Sequence, residues 1–347
     1  GINPNVPVPV SDIIMKLLSK SADDRYQNGF GLAADLRECL KQFQLTGQIK
    51  PFALGGQDVS PRFLIPHVLV GREKERYMLL EAVERASQGQ KEVLMITGEA
   101  GIGKTSLVSE LSKTLIGKQG YFISGKFDQF RTNVPLSAII QAFRGLVLQL
   151  LTQDPQPLDA LKEKLLAALG PNGKIITDTI PDMALILGDQ PDIPDLPPEE
   201  KHNRFMLCFK NFVGVFAQAN HPLVIFLDDL QWADEASLHL LERLATDRDL
   251  RHILFIGAYR ETECSLDHPL FRVIQTITAS GTELNTLCLK SLDPEAVNIL
   301  LRSMLNCPAE VSLPLARIVR EKTKGNPFFV HQFLKTLHDE RHIQFDS

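Results

Sequence analysis

The chain has 347 residues, 44% of them hydrophobic and 23% charged, and a net charge of −5; this is the balance of an ordinary globular protein with room for two domains, and it offers no global basic field for nucleic acid. No run reaches the ~18 uninterrupted apolar residues of a membrane-spanning helix, and the opening GINPNVPVPV lacks the charged and apolar regions of a signal peptide. Cys39, Cys208, Cys264, Cys288 and Cys307 form no CxxC pair and have no His at ligand spacing, which favours small buried hydrophobes in a reducing, cytoplasmic setting over metal ligands.

The first residue is Gly, and the chain reads as a fragment of something longer. Residues 11 to 43 are predicted helical. Ser11-Asp12 can cap a first helix with Ile13, Ile14, Leu17 and Leu18 on one face. After a break at Asn28-Gly29, helical spacing resumes with Leu32, Leu36, Leu40 and Phe43. Residues 46–66 carry Gly55-Gly56 and three prolines and read as a linker. Strands are predicted at 93–96, 121–124, 223–227 and 253–259, with a weaker one from Leu284 to Leu289. Helical periodicity lies between them, as at Ser106 to Leu115 and Ala236 to Ala245. Strands alternating with helices imply a parallel sheet covered on both faces. A mostly helical insertion fills 135–218, with a Pro-rich break near 189–198, and the tail from Pro294 reads as helices alone.

Gly98-Glu99-Ala100-Gly101-Ile102-Gly103-Lys104-Thr105, followed by Ser106, matches GxxxxGK[ST] between a predicted strand and a predicted helix. Glycines let the backbone curl until its N–H groups point at an anion, and the helix that follows adds its positive end. Lys104 would serve the β- and γ-phosphates, and Thr105 would offer its hydroxyl to Mg²⁺. The apolar run 223–227 ends in Asp228 and Asp229, where ligands of parallel sheets gather. Asp228 would orient Mg²⁺ largely through water, and Asp229 would polarise an attacking water. Asp234 is the better cap for the next helix. The expected geometry is an anion seat whose metal is steered by an acid from a neighbouring strand. Arg260 ends the next strand, where a cation could sense the γ-phosphate. Arg204 is a weaker candidate, more often a solvated helix charge or a structural ion pair.

With these residues placed, the chain resembles the STAND class of signal-transduction P-loop ATPases, most closely their bacterial AAA-type branch. The resemblance rests on Val70-Gly71-Arg72-Glu73, the phosphate loop, the segment from Phe226 to Asp234, Gly257-Ala258-Tyr259-Arg260 and Gly325-Asn326-Pro327, and covers about residues 67 to 345. It implies a three-layer α/β P-loop NTPase core of ASCE/AAA type with a parallel sheet at 67–290, containing the insertion, and a helical lid at 291–347. It also implies that Val70, Gly71 and Arg72 lie by the adenine of ATP or ADP, that Pro327 closes over the base, and that Asp228, Asp229, Lys104 and Arg260 play the metal and catalytic roles given above.

The segment 1–45 resembles the last helices of a protein kinase C-lobe, an all-α remnant in which Arg25 would pair with an acid the chain does not contain. Together the two resemblances are similar to very large bacterial signalling proteins that join a Ser/Thr kinase, an ATPase, a sensor and a histidine kinase. The expected function is an ATP-binding, slowly hydrolysing switch; the alternative is a nucleotide-binding scaffold with little turnover. A DNA loader of the origin-recognition type shares the core but would need a winged-helix domain and a basic face. Expected partners are ATP, other domains of the same polypeptide and, depending on nucleotide, further copies of the chain, with no nucleic acid and no membrane segment.

Overall fold

The apolar runs at 93–96, 223–227 and 253–259 fall in the three central strands of one parallel sheet. The computed structural model describes residues 6–19, 25–26, 28–56, 58, 69–116, 120–130, 134–152, 155–219, 221–265, 267–305, 307–340 and 342. In chain order the elements are α1 (Val8–Leu17), α2 (Gly29–Thr46), α3 (Glu73–Ser87), β1 (Lys91–Thr97), α4 (Lys104–Ile116), β2 (Tyr121–Lys126), α5 (Ser137–Leu150), α6 (Pro155–Leu169), α7 (Gly173–Thr179), α8 (Ala184–Leu187), α9 (Pro198–Phe216), β3 (Leu223–Asp228), α10 (Glu235–Thr246), β4 (Ile253–Tyr259), α11 (Pro269–Ala279), β5 (Glu283–Cys288), α12 (Pro294–Leu305), α13 (Ala309–Thr323) and α14 (Pro327–Asp339). They fall into two units: Gly71–Ser291 with Asn326–Phe328, and Gly1–Val70 with Leu292–Gly325 and Phe329–Ser347.

In the first unit the sheet order is β2-β3-β4-β1-β5, and every pairing is parallel. The three inner strands are almost wholly buried, so both their faces are apolar. One face carries Val93, Met95, Ile123, Ile225 and Phe255 into a core shared with α5, α9, α10 and α11. On the other, Leu94 and Ile96 are equally buried, and α3 packs against β1 and β4 while α4 packs against β2. The core is therefore a three-layer P-loop NTPase fold. The helical stretch 135–218 is integral to it: Phe143 of α5 meets Phe212 of α9 at 4.9 Å and Phe209 at 5.7 Å, inside the same core. The acid-bearing strand β3 was expected beside the loop-bearing β1, but the two are not immediate neighbours. β4 lies between them, because adjacency in a parallel sheet is set by crossovers and not by chain order.

In the second unit, Val70 with Val297, Leu301, Val319, Val330 and Leu334 forms a separate apolar core. Asp293 caps α12 by accepting from Ala296 N at 2.7 Å. The first helix begins at Val8, before the expected Ser11-Asp12 cap, because Pro9 fits the first turn, where its missing N–H is not needed. Asn28 does not merely break the helices but caps α2, accepting from Gly31 N at 2.8 Å. The first part of the expected linker folds back on α2: Lys50 N donates to Gln42 Oε1 at 2.8 Å and Gly55 N to Asp35 Oδ2 at 2.7 Å. Its remainder, 59–66, lies outside the described residues. Of the segment 23–27, Asp23, Asp24 and Gln27 also lie outside them. Arg25 Nε donates to Ser19 O at 2.8 Å, and the Tyr26 hydroxyl donates to Asp35 at 2.5 Å. Burial and that contact push the Tyr26 hydroxyl far above its ordinary range.

Candidate functional site

β1 runs into a loop whose glycines are needed for their conformations. Gly98, Gly101 and Gly103 have φ of 146°, 72° and 98°, which a residue with a Cβ adopts only under strain. Space is also short. A Cβ on Gly98 would lie 2.8 Å from Leu289 O, and one on Gly101 would lie 2.6 Å from Phe328 Cβ. α4 starts at Lys104, so its first amides and the positive end of its dipole face the loop. The buried Lys104 ammonium donates to the loop's own Gly98 and Glu99 carbonyls at 2.8 and 3.0 Å. Burial and, after it, the charge of Arg260 lower its pKa, while Asp228 and Asp229 oppose the shift.

β3 delivers the acids. Thr105 Oγ1 donates to Asp228 Oδ2 at 2.6 Å, and Asp228 Oδ1 accepts from Asp229 N at 3.0 Å. Asp229 has φ of 54°, a left-handed conformation that costs a non-glycine residue about 1 kcal/mol. The turn leaves its carboxylate among polar side chains. Gln231 Nε2 donates to Asp229 Oδ1 at 3.0 Å. Lys126 Nζ lies 3.0 Å from Asp229 Oδ2, as an ion pair and not an aligned hydrogen bond. Arg260 Nε lies 3.5 Å from Asp229 Oδ1. Arg260 also donates to Glu263 Oε1 at 2.6 Å and covers the Trp232 ring at 5.1 Å. The Asp229 contact raises the Lys126 pKa. Asp234 caps α10, accepting from Ser237 N at 2.8 Å.

Loop and acids are thus brought together, with Arg260 beside them. The other expected residues sit differently. Arg72 is buried, and its guanidinium donates to Ile102 O at 3.3 Å, to Glu75 Oε1 at 3.3 Å and to Lys290 O at 2.5 Å. Val70 is part of the separate helical core. Pro327 starts α14, and its neighbours touch the loop: Asn326 Nδ2 donates to Ala100 O at 2.9 Å, and Phe328 N donates to Gly101 O at 3.2 Å. Arg204 donates to Pro194 O at 3.0 Å. Sequence reasoning missed Lys126, Gln231, Glu263 and Asn326. Asn326 stood inside a quoted motif, and its near-complete burial is the signal that a sequence cannot carry. Lys126 is in register with Asp228 across β2 and β3, which only strand pairing reveals.

The chain is 33% identical to the hybrid signal transduction histidine kinase G of Dictyostelium discoideum, with all of this chain and 12% of that protein aligned. It is 23% identical to the peroxide stress-activated histidine kinase mak3 of Schizosaccharomyces pombe, over 99% of this chain and 18% of that one. The chain therefore spans less than a fifth of either curated relative, and both come from eukaryotes. Among solved structures, Cdc6p of Pyrobaculum aerophilum is 14% identical over 73% of this chain and 56% of its own, with a TM-score of 0.43. The family model described as the AAA ATPase domain matches residues 68–256, more than half of the chain, including the phosphate loop, both acids and most of β4. The chain belongs to the AAA ATPase domain family.

Proposed function

We propose that the chain is an ATP-binding, slowly hydrolysing switch module within a larger signalling kinase. The observation that carries this reading is the 2.6 Å hydrogen bond between Thr105 and Asp228, which joins the start of α4 to the end of β3 across 123 residues of sequence. The loop from Gly98 to Ser106 would hold the phosphates through its amides and Lys104. Thr105 and Asp228 form an all-oxygen donor pair of the kind a hard cation takes, and they would hold Mg²⁺. That ion would neutralise charge on the phosphate oxygens. Asp229 would orient and polarise the attacking water, and Arg260 would move from Glu263 and Asp229 toward the γ-phosphate. Gly71, Arg72 and, through its main chain, Val70 would serve the adenine side with Pro327. The resemblance of 1–45 to a kinase C-lobe, and relatives named as histidine kinases and far longer than this chain, support a place between other domains of one polypeptide, as in the joined Ser/Thr kinase–ATPase–sensor histidine kinase order. A cytoplasmic location and nucleotide-dependent self-association belong to the same reading. Among the described residues no helix is long and apolar enough to cross a membrane.

A second reading is favoured by one observation. Asp229 is engaged by Lys126, Gln231 and Arg260 at once, and a carboxylate so occupied is a poor base. The module would then hold nucleotide with little turnover. Comparing the parent with Lys104→Ala and Asp229→Ala separates the two. The switch with turnover requires Asp229→Ala to keep nucleotide while losing turnover by about 100-fold or more, and Lys104→Ala to lose binding. If all three hydrolyse ATP equally slowly while only Lys104→Ala fails to bind, the holding module is correct.

A further inference from the structure

Three consecutive carbonyls of the phosphate loop are bound from outside the loop. Ala100 O accepts from Asn326 Nδ2 at 2.9 Å, Gly101 O from Phe328 N at 3.2 Å and Ile102 O from Arg72 at 3.3 Å. In a trans peptide the C=O and the following N–H point in opposite directions, and the described residues contain no cis bond. Drawing these oxygens outward therefore turns the amides of Gly101, Ile102 and Gly103 inward, toward the concave side of the loop. Of these, the Ile102 amide makes a long contact of 3.4 Å with Glu99 O.

Asn326 is the centre of this arrangement. It is 3% exposed, and its side-chain oxygen accepts from Phe328 N at 3.1 Å. The same N–H is thus shared between Asn326 and Gly101 O. One side chain fixes the Ala100 peptide directly and the Gly101 peptide through the turn it caps. An aspartate of the same shape would set an acceptor against Ala100 O, where a donor is needed. Arg72 does the corresponding work at Ile102, while its other contacts at Glu75 and Lys290 hold it still.

We propose that Asn326, with Arg72, is a positioning residue for the anion seat: it orients loop amides that receive the phosphate chain of the nucleotide, without touching the nucleotide itself. This rests on the nucleotide-binding reading given above. Its consequence is that Asn326 governs affinity for the phosphates and not for the nucleoside.

The test is titration calorimetry of ADP and of adenosine, each with Mg²⁺, on the parent chain and on Asn326→Asp, Asn326→Ala and Lys104→Ala, with thermal melts alongside. Asn326→Asp should weaken ADP at least tenfold and Asn326→Ala less, while adenosine affinity of both Asn326 variants stays within twofold of the parent. Asn326→Ala, which introduces no repulsion, serves if the aspartate variant does not fold. A loss of ADP and adenosine affinity in equal proportion, following the melting temperature, would show a merely structural role and overturn the proposal. So would parent-like ADP binding by both Asn326 variants in a series where Lys104→Ala loses it. A parent chain that binds no ADP at all would instead sink the nucleotide-binding reading, and this inference with it.

Discussion

The phosphate loop and the acid corner meet at one hydrogen bond, yet they are built on different principles. The loop presents mainly its main chain. Its glycines have positive φ, a Cβ has no room at Gly98 and Gly101, three of its carbonyls are bound from outside, and its lysine folds back on loop oxygens. The corner around Asp229 is held by side chains: Lys126, Gln231 and Arg260 converge on one carboxylate, and Arg260 has a second hold on Glu263. A seat built from backbone is preorganised and changes little when a ligand arrives. A corner built from long cationic side chains can exchange partners through rotamer changes alone. The contrast suits the proposed switch, in which the first region would bind and the second would respond.

The largest effect should come from breaking the rigid side of this comparison. Gly101→Val forces a β-branched residue into φ of 72° and drives a Cβ to 2.6 Å from that of Phe328. The expected cost is about 1–3 kcal/mol of stability, read in urea melts. Nucleotide affinity should fall by about 100-fold or more, because two or more amides lose their aim and each charge-assisted hydrogen bond is worth about 1.5–3 kcal/mol. If the variant binds ADP as the parent does, the loop is not a preorganised seat.

The responsive side should give a smaller effect of opposite sign. Lys126 is largely exposed, with 58% of its side chain open to solvent, so its pair with Asp229 is worth about 1 kcal/mol at most. Lys126→Met should free the carboxylate and raise ATP turnover by up to about fivefold, with nucleotide affinity unchanged in a direct titration. A fall in turnover would mean that Lys126 aligns Asp229 instead of restraining it.

The same contrast explains what could be read from the sequence. β1, β3 and β4 are buried on both faces, so they stand out as unbroken apolar runs, and Asp228 is conspicuous because an acid ends such a run. The loop is legible because its chemistry is local: strand, glycines, lysine, hydroxyl and helix follow one another. The edge strands β2 and β5 are partly exposed and carry polar residues such as Ser124 and Asn285, so their signal is weaker. Lys126 could not be found, since its tie to Asp229 depends on the β2–β3 register. The order that puts β4 between β1 and β3 is likewise invisible to periodicity, as is the meeting of Phe143 with Phe209 and Phe212 that joins the helical stretch to the main core. The misplaced start of α1 has a simpler cause: Ser11-Asp12 offers a capping pair, but Pro9, tolerated in a first turn, already lies inside the helix.

The smallest effect lies where the two regions touch electrostatically. Burial, with Arg260 adding to it, holds the Lys104 ammonium below its ordinary 10.5, against the pull of Asp228, Asp229 and Glu263. A lysine depressed in the folded state binds fewer protons than in the unfolded chain between its folded value and 10.5, so its contribution makes stability rise with pH across that interval. A phosphate chain brought to the ammonium would raise its pKa again. ADP binding should therefore take up a fraction of a proton as pH climbs toward 10.5. Calorimetry in two buffers of different ionisation enthalpy reads the uptake directly. Arg260→Gln removes one of the two causes of the depression, so it should shrink the uptake and move it to higher pH. An uptake identical in parent and variant would separate Arg260 from the loop and leave burial as the cause.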